Sequence, residues 1–193
     1  RSATPVEARR LNIGYISAEF REHAVMHLFA GVLPLHDRNR FKLHAYSIGP
    51  AHDDAYRQRI ESSSEVFRDF GQTADLLAAR QIADDEIDIL IDLTGLTGDA
   101  RPTIAALRPA PAIVNWLGHP GSMGDPRLAD YIVGDPVLTP PEHAANYSEH
   151  LALMPHCYQP NDPVLAVGPA PTRAEAGLPP EGFVFSSFNQ GYK

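Results

Sequence analysis

The chain has 193 residues, of which 44% are hydrophobic, so it can bury a substantial core in one domain or slightly more. Its 16 Lys and Arg residues and 24 Asp and Glu residues give a formal net charge of -8, which argues against nucleic acid and an anionic membrane surface as partners. The single cysteine, Cys157, excludes an intrachain disulfide and fits a reducing compartment. No apolar run approaches about 18 residues and residues 1–10 lack the apolar core of a signal peptide, so we expect a cytoplasmic protein.

Strands and helices are predicted to alternate along most of the chain. An apolar run over 11–17 predicts the first strand, and apolar residues at helical spacing predict a helix over 25–36. The remaining predictions are strands over 41–48, 65–70, 87–93, 112–117, 131–133 and 151–154, and helices from 55, over 74–84 after a Thr73 cap, and over 101–107. Such alternation is typical of right-handed βαβ units. The predicted fold class is therefore α/β, a Rossmann-like, mostly parallel sheet with helices on both faces.

The composition also predicts how the chain is divided. Residues 1–10 are expected to be a tail, and 11–158 a Rossmann-like domain. Residues 159–182 are rich in Pro and Gly, which predicts a linker. An apolar run over 183–188 predicts a further strand, so 183–193 is expected to begin a second domain and the chain to be a truncated piece of a longer protein.

Two histidines stand near the start of the first predicted helix. His23 follows the first strand, and ligands bind at the carboxyl ends of strands in open α/β sheets. With an unperturbed pKa of about 6.5, such a histidine can take and give a proton, so His23 is a candidate general base; a structural loop residue explains the position equally well. His27 adds the i,i+4 spacing of a metal pair, but Ala24 stands where a zinc protease has Glu, and no third ligand is recognisable. We predict no metal site.

Two loops follow predicted strands and contain glycine. The loop over 118–124 allows close approach of a ligand to the backbone, although it lacks the helix and acidic residue of a dinucleotide fingerprint, and an ordinary turn with His119 exposed explains it nearly as well. The loop over 95–98 could equally hold an acceptor or simply reverse the chain. Trp116 is predicted to lie inside a strand, in the core.

Several segments resemble, in the same order, the catalytic region of the O-linked N-acetylglucosamine transferases and their bacterial relatives. The resemblance runs from about residue 11 to 193 and rests on eight segments, which together are far more specific than any one alone. The segments are IGYISAEF (13–20) with His23, DD (53–54), IDILIDLTG (87–95), LRPAP (107–111), WLGHPG (116–121), YSEHL (147–151), LMP (153–155) and FNQGYK (188–193).

The resemblance implies an inverting, metal-independent glycosyltransferase of the GT-B type. In that architecture two Rossmann-like domains face each other across a cleft, and a tetratricopeptide superhelix usually precedes them. This chain would be the N-terminal catalytic half, with the C-terminal catalytic domain and upstream repeats as its partners. It would help to move N-acetylglucosamine from the donor substrate UDP-GlcNAc to Ser or Thr of an acceptor protein or peptide, with no cofactor.

The same resemblance implies roles for individual residues. His23 matches the family histidine proposed to take the proton of the acceptor hydroxyl, a transfer worth typically 10²–10⁴-fold in rate; the alternative role is to position the sugar or the acceptor. Lys193 matches the lysine that contacts the diphosphate and stabilises charge on the UDP leaving group, whereas spacing alone would make it an exposed lysine. Gln190 and Tyr192 match neighbours of that lysine in the nucleotide-sugar site.

The loop near the acceptor is matched by Pro120, Gly121 and Ser122. Three residues depart from the family pattern: Ala24 replaces the usual proline, Leu96 stands where His or Tyr is frequent, and His119 stands where Tyr is common. The last two could alter the preference for acceptor or sugar. Related fucosyltransferases and asparagine glycosyltransferases share much of the pattern, and a non-catalytic module that binds a small anion or a partner stays open as an alternative.

Overall fold

The computed structural model describes residues 9–164 and 168–187. In these ranges seven strands form one sheet. The strands are β1 Leu11–Ser17, β2 Phe41–Ser47, β3 Val66–Asp69, β4 Ile89–Asp92, β5 Ala112–Asn115, β6 Tyr131–Gly134 and β7 His150–Leu153. The α-helices are α1 Ala24–Phe29, α2 Ala55–Ser63, α3 Asp75–Asp84 and α4 Pro102–Ala106, and 3₁₀ helices span Leu33–Leu35 and Pro141–Asn146.

All neighbouring strands of the sheet are parallel, in the order β3-β2-β1-β4-β5-β6-β7. The chain builds outward from β1 to β3 and then returns to place β4 on the other side of β1. Because the loops after β1 and β4 leave the sheet in opposite directions, a crevice opens between them, where ligands bind in open α/β sheets. The predicted Rossmann-like α/β fold is confirmed.

Helices cover both faces of the sheet and bury two apolar clusters. On one face, α1 and α2 contribute buried residues such as Met26 and Ile60, which pack with Leu43 of β2. On the other face, Ile82 of α3 and Ile104 of α4 pack over buried residues of the central strands. The alternation of side chains along β1 supplies both clusters, because successive residues of a strand point to opposite faces.

Three local predictions are corrected by the structure. The helix predicted over 25–36 is broken into α1 and a 3₁₀ turn, because Pro34 cannot donate a helical hydrogen bond and its ring excludes it from a helix interior. Thr73 is not the cap of α3: Ala74 occupies that position, and the Thr73 carbonyl instead accepts a hydrogen bond from Arg101. Trp116 lies just beyond β5 and is half-buried: its ring packs against Phe29 at the margin of a core cluster, and its indole N–H donates to the Tyr158 carbonyl at 2.9 Å.

The ends of the described chain also bear on the predictions. Arg9 and Arg10 of the predicted tail form ion pairs with carboxylates of the domain, while residues 1–8 lie outside the described residues. The predicted strand over 183–188 is wrong for 183–187, which pair with no strand in the described chain and leave Phe183 and Phe185 exposed; Phe188 lies outside it. Among the described helices, none is both long and apolar enough to span a bilayer.

Candidate active site

An open cleft of about 470 Å³ lies over the carboxyl ends of the central strands. It is lined by residues that follow β1, including Glu19 and His23, and by the 97–99 segment after β4. Leu117, Gly118 and Pro120 after β5 and Tyr158 after β7 complete this part of the lining. The cleft therefore lies at the point where the strand order reverses, the position at which this fold class binds ligands.

His23 is both a cleft residue and the N-cap of α1. Its backbone is extended, and its Nδ1 accepts a hydrogen bond from the Val25 N–H at 3.2 Å. Burial lowers the pKa of His23, an effect that the nearby Glu19 carboxylate partly opposes. The ring is therefore neutral near pH 7, and because Nδ1 is an acceptor, the assigned tautomer carries its proton on Nε2.

Glu19 lies in the floor of the cleft and is 4% exposed. Its Oε2 accepts hydrogen bonds from Ser17 Oγ at 2.9 Å and from Thr94 Oγ1 at 2.7 Å. Each hydroxyl is itself oriented by a backbone N–H: Glu19 N donates to Ser17 Oγ, and Ala18 N donates to Thr94 Oγ1. Both hydroxyl protons are thereby directed at the same carboxylate oxygen, which fixes the side chain.

A second carboxyl group, that of Asp92, lies beneath the same loops. Asp92 Oδ1 accepts hydrogen bonds from Thr94 N at 2.8 Å and Gly95 N at 3.0 Å, which hold the turn after β4. Burial raises the pKa of Asp92; these two N–H donors oppose the rise, and the charge of Glu19 adds to it. Asp92 therefore organises the turn, while Glu19 reaches the cleft.

The loops after β4 and β5 contact each other through their backbones. A side chain at Gly118 would collide with the Leu93 carbonyl oxygen, so only glycine permits this approach. Gly95 has a φ of 61°, and a Cβ there would lie 2.5 Å from that of His119. The glycine-rich loop over 118–124 is therefore fitted against the β4 loop rather than being an independent turn.

Side chains beneath the loop over 118–124 hold it in place. Asn115, at the end of β5, donates from Nδ2 to the carbonyls of His119 at 3.1 Å and Gly121 at 2.9 Å. Its Oδ1 is buried with no hydrogen-bond partner in the described chain. Ser122 Oγ donates to Glu149 Oε2 at 2.7 Å, which ties the loop to the segment before β7.

Only some of the predicted site residues lie in the lining of the cleft. His23 and Pro120 line the cleft together. The other predicted residues of the Pro120 loop are outside the cleft lining within the described chain: His119, Gly121 and Ser122. The His119 ring packs beside Gly95, and the Ser122 hydroxyl turns towards Glu149. Three predicted residues lie outside the described residues: Gln190, Tyr192 and Lys193.

The histidine pair does not form a metal site in the structure. The exposed His27 shares a hydrogen bond of 2.7 Å between its Nδ1 and the Tyr56 hydroxyl. Across residues 9–164 and 168–187, no three His, Cys, Asp or Glu side chains are arranged to hold a metal ion. His27 is thus engaged with α2, as expected for a residue on a helix face.

Sequence reasoning singled out neither Glu19 nor the side chains that support the loops. Glu19 stands within IGYISAEF. The feature that could have indicated it is its position as a carboxylate in the first loop after a strand, directly before the buried Phe20. Asn115 was visible as a polar residue at the end of an apolar strand. Glu149 lies in YSEHL, where nothing in the local pattern indicates that it reaches Ser122.

Comparison with known proteins supports the resemblance found in the sequence. The model of Glycosyl transferase family 41 matches residues 2–165. The chain is 39% identical over 191 residues, 96% of its length, to a probable UDP-N-acetylglucosamine–peptide N-acetylglucosaminyltransferase, SEC, of Arabidopsis thaliana. It is 40% identical over 151 residues, 78% of its length, to a UDP-N-acetylglucosamine–peptide N-acetylglucosaminyltransferase of Caenorhabditis elegans.

A solved structure agrees with the sequence comparisons. A mutant O-GlcNAc transferase of Thermobaculum terrenum superposes with a TM-score of 0.78 and 38% identity, covering 85% of this chain and 31% of that one. The chain spans only 19% of the Arabidopsis protein and 13% of the nematode protein. The inferred family is confirmed, and the chain belongs to glycosyl transferase family 41, as part of a Rossmann-like domain of the O-GlcNAc transferase type.

Proposed function

We propose that this chain forms one wall of the active site of a protein O-GlcNAc transferase. The enzyme would move N-acetylglucosamine from UDP-GlcNAc to Ser or Thr of an acceptor protein in the cytoplasm, with a C-terminal catalytic domain and upstream repeats as partners. The observation that carries this proposal is the position of His23 in the cleft where the strand order reverses. The relatives named for this transfer support it, although the chain spans only part of each.

The proposed reaction is a single displacement at the anomeric carbon, without a metal. The acceptor oxygen forms its bond to that carbon as the bond to UDP breaks, and the configuration inverts. The acceptor proton passes to solvent, so that the products are the glycosylated acceptor, UDP and a proton. Negative charge then develops on the diphosphate. We assign its stabilisation to Lys193, with Gln190 and Tyr192 beside it, because fixed positive charge near a leaving group lowers the barrier.

The hydrogen bond at Nδ1 bears on the role of His23. To take a proton at Nε2, the ring would have to carry its own proton on Nδ1, and that tautomer cannot accept the Val25 N–H. A base role would therefore cost the cap of α1. The geometry favours the alternative role, in which Nε2–H donates a hydrogen bond to an oxygen of the sugar or acceptor and positions it for the displacement.

The test combines binding and transfer. Calorimetry with UDP and UDP-GlcNAc should detect binding by the full-length gene product and little or none by this chain alone, because one wall of a cleft offers few contacts. Tight binding by this chain alone would contradict the proposal. Transfer to a Ser/Thr peptide, followed by mass spectrometry, should occur with UDP-GlcNAc; activity only with GDP-fucose, or only towards an Asn peptide, would assign the chain to another branch of the family.

A further inference from the structure

We propose that Glu19 contacts the substrate directly, with its free carboxylate oxygen, Oε1, accepting a hydrogen bond from a hydroxyl group of the sugar or the acceptor. This inference rests on the proposed transferase function and adds to it a residue that binds the substrate. It starts from an asymmetry in the structure: Oε2 of Glu19 receives two hydrogen bonds, whereas Oε1 receives none within the described part of the chain.

The two anchoring hydroxyls determine which oxygen is available. Ser17 Oγ and Thr94 Oγ1 each accept a backbone N–H and direct their own protons at Oε2. The carboxylate is therefore held by one edge, and its rotation would break both hydrogen bonds. Oε1 therefore remains available on Glu19, which lines the cleft and is 96% buried.

Burying a carboxylate is costly unless its oxygens find donors. Glu19 has no ion pair with Lys, Arg or His in the described residues, so the protein itself compensates only one of its two oxygens. A ligand that donates a hydrogen bond to Oε1 would supply the other compensation.

The chemistry of Oε1 selects a hydroxyl group. A carboxylate repels phosphate, so the diphosphate is excluded as its partner, whereas sugar and Ser or Thr hydroxyls are neutral donors. His23 lines the same cleft with a donor at Nε2. One acceptor and one donor in a single cleft match a hydroxyl, which both gives and receives a hydrogen bond.

The test is Glu19→Gln in the full-length gene product. The Gln carbonyl oxygen can keep the hydrogen bonds of Ser17 and Thr94, which places its NH₂ where Oε1 was and replaces an acceptor by a donor. We expect kcat/KM for transfer to fall about 10- to 100-fold, because hydrogen bonds to charged groups are among the stronger ones. Glu22→Gln, a change at an exposed carboxylate of the same loop, is the matched control and should leave kcat/KM unchanged.

A second readout distinguishes the source of the hydroxyl. If Glu19 binds the sugar, hydrolysis of UDP-GlcNAc should weaken together with transfer, and the donor KM should rise. If it binds the acceptor, hydrolysis should stay at the wild-type rate while the acceptor KM rises. A folded Glu19→Gln protein with wild-type kcat/KM in both assays would overturn the proposal, and inactivity of the wild type would instead overturn the proposed function.

If the Glu19→Gln protein does not fold, a second variant tests the proposal. Thr94→Val removes one anchor of Oε2 and leaves the carboxylate itself intact, so Glu19 gains rotational freedom. We expect kcat/KM to fall at least fivefold, with circular dichroism and gel filtration confirming the native fold. A folded Thr94→Val protein with wild-type kcat/KM would overturn the proposal.

Discussion

His23 has two separable functions, because its Nδ1 caps α1 while the rest of the ring lines the cleft. His23→Ala removes both, whereas His23→Asn keeps an excellent N-cap and removes the imidazole. Loss of an N-cap costs about 1 kcal/mol, which for a domain of this size lowers Tm by roughly 2–4 °C. We therefore expect His23→Ala to lower the free energy of unfolding by about 1 kcal/mol and His23→Asn to change it by only a few tenths.

Catalysis, in contrast to stability, should be affected equally in the two variants. Both lose the Nε2 donor, so we expect both to reduce kcat/KM for transfer by about 10- to 100-fold, with UDP affinity nearly unchanged. Urea unfolding of this chain measures the first effect, and peptide glycosylation by the full-length gene product measures the second. Equal destabilisation by Ala and Asn would refute the capping role. Wild-type transfer by His23→Asn would remove the residue from the mechanism. If kcat/KM instead falls 10³–10⁴-fold and its pH profile no longer declines at acidic pH, His23 is the base.

Three further predictions concern the stability of this chain and are measured by urea unfolding. Gly118→Ala should lower the free energy of unfolding by about 2 kcal/mol or more, because the added methyl group collides with the Leu93 carbonyl oxygen. Gly98→Ala is the control: nothing lies near its added methyl group, so the free energy of unfolding should change by less than about 1 kcal/mol. Equal effects would contradict the packing of the loops after β4 and β5. Asp162→Ala should cost about 1–3 kcal/mol, because it removes two charge-assisted hydrogen bonds to Arg59, whose side chain is 29% exposed. A loss below about 0.5 kcal/mol would show that this pair does not hold the segment after β7. Burial lowers the pKa of His23 and His44, so the unfolded chain binds more protons and the free energy of unfolding should fall as the pH drops through about 6.5; a flat profile between roughly pH 7.5 and 5.5 would contradict this.

The sequence predicted the parts of the fold that depend on periodicity. The predicted bounds of β1 agree with the observed ones, because a short apolar run flanked by polar residues in an alternating βα pattern predicts a strand. The predicted helix over 25–36 is too long because the apolar spacing continues past Phe29, although Pro34 interrupts the helical backbone. The strand over 183–188 failed over its described part because a β-prone run becomes a strand only where a neighbour pairs with it.

The candidate site was harder to predict because its geometry depends on contacts between distant segments. His23 was found from its place after the first strand, which is a local feature. The role of Glu19 depends on Thr94, 75 residues away in the chain, and on the direction in which a hydroxyl donates. Pairings of this kind leave no periodic signal in a single sequence. They follow only from the placement of β4 beside β1 in the sheet.

The charges of the cleft indicate how binding is divided within the proposed enzyme. Among the described lining residues, Arg21 is the one Lys or Arg side chain, while Glu19 and His23 offer hydrogen bonds suited to hydroxyls. This wall is therefore poorly equipped to neutralise a diphosphate, and Lys193 is the residue to which we assign that role. In the full-length gene product, UDP affinity should survive Glu19→Gln and His23→Ala within about twofold and should fall at least tenfold in Lys193→Ala, as measured by calorimetry. A gain of UDP affinity in Glu19→Gln would mean that the diphosphate lies against this wall, because removing a negative charge relieves its repulsion of the phosphates. A larger loss of UDP affinity from Glu19→Gln than from Lys193→Ala would mean that Glu19 binds the nucleotide itself. Either result would require the assignment of Glu19 to a hydroxyl of the sugar or acceptor to be abandoned.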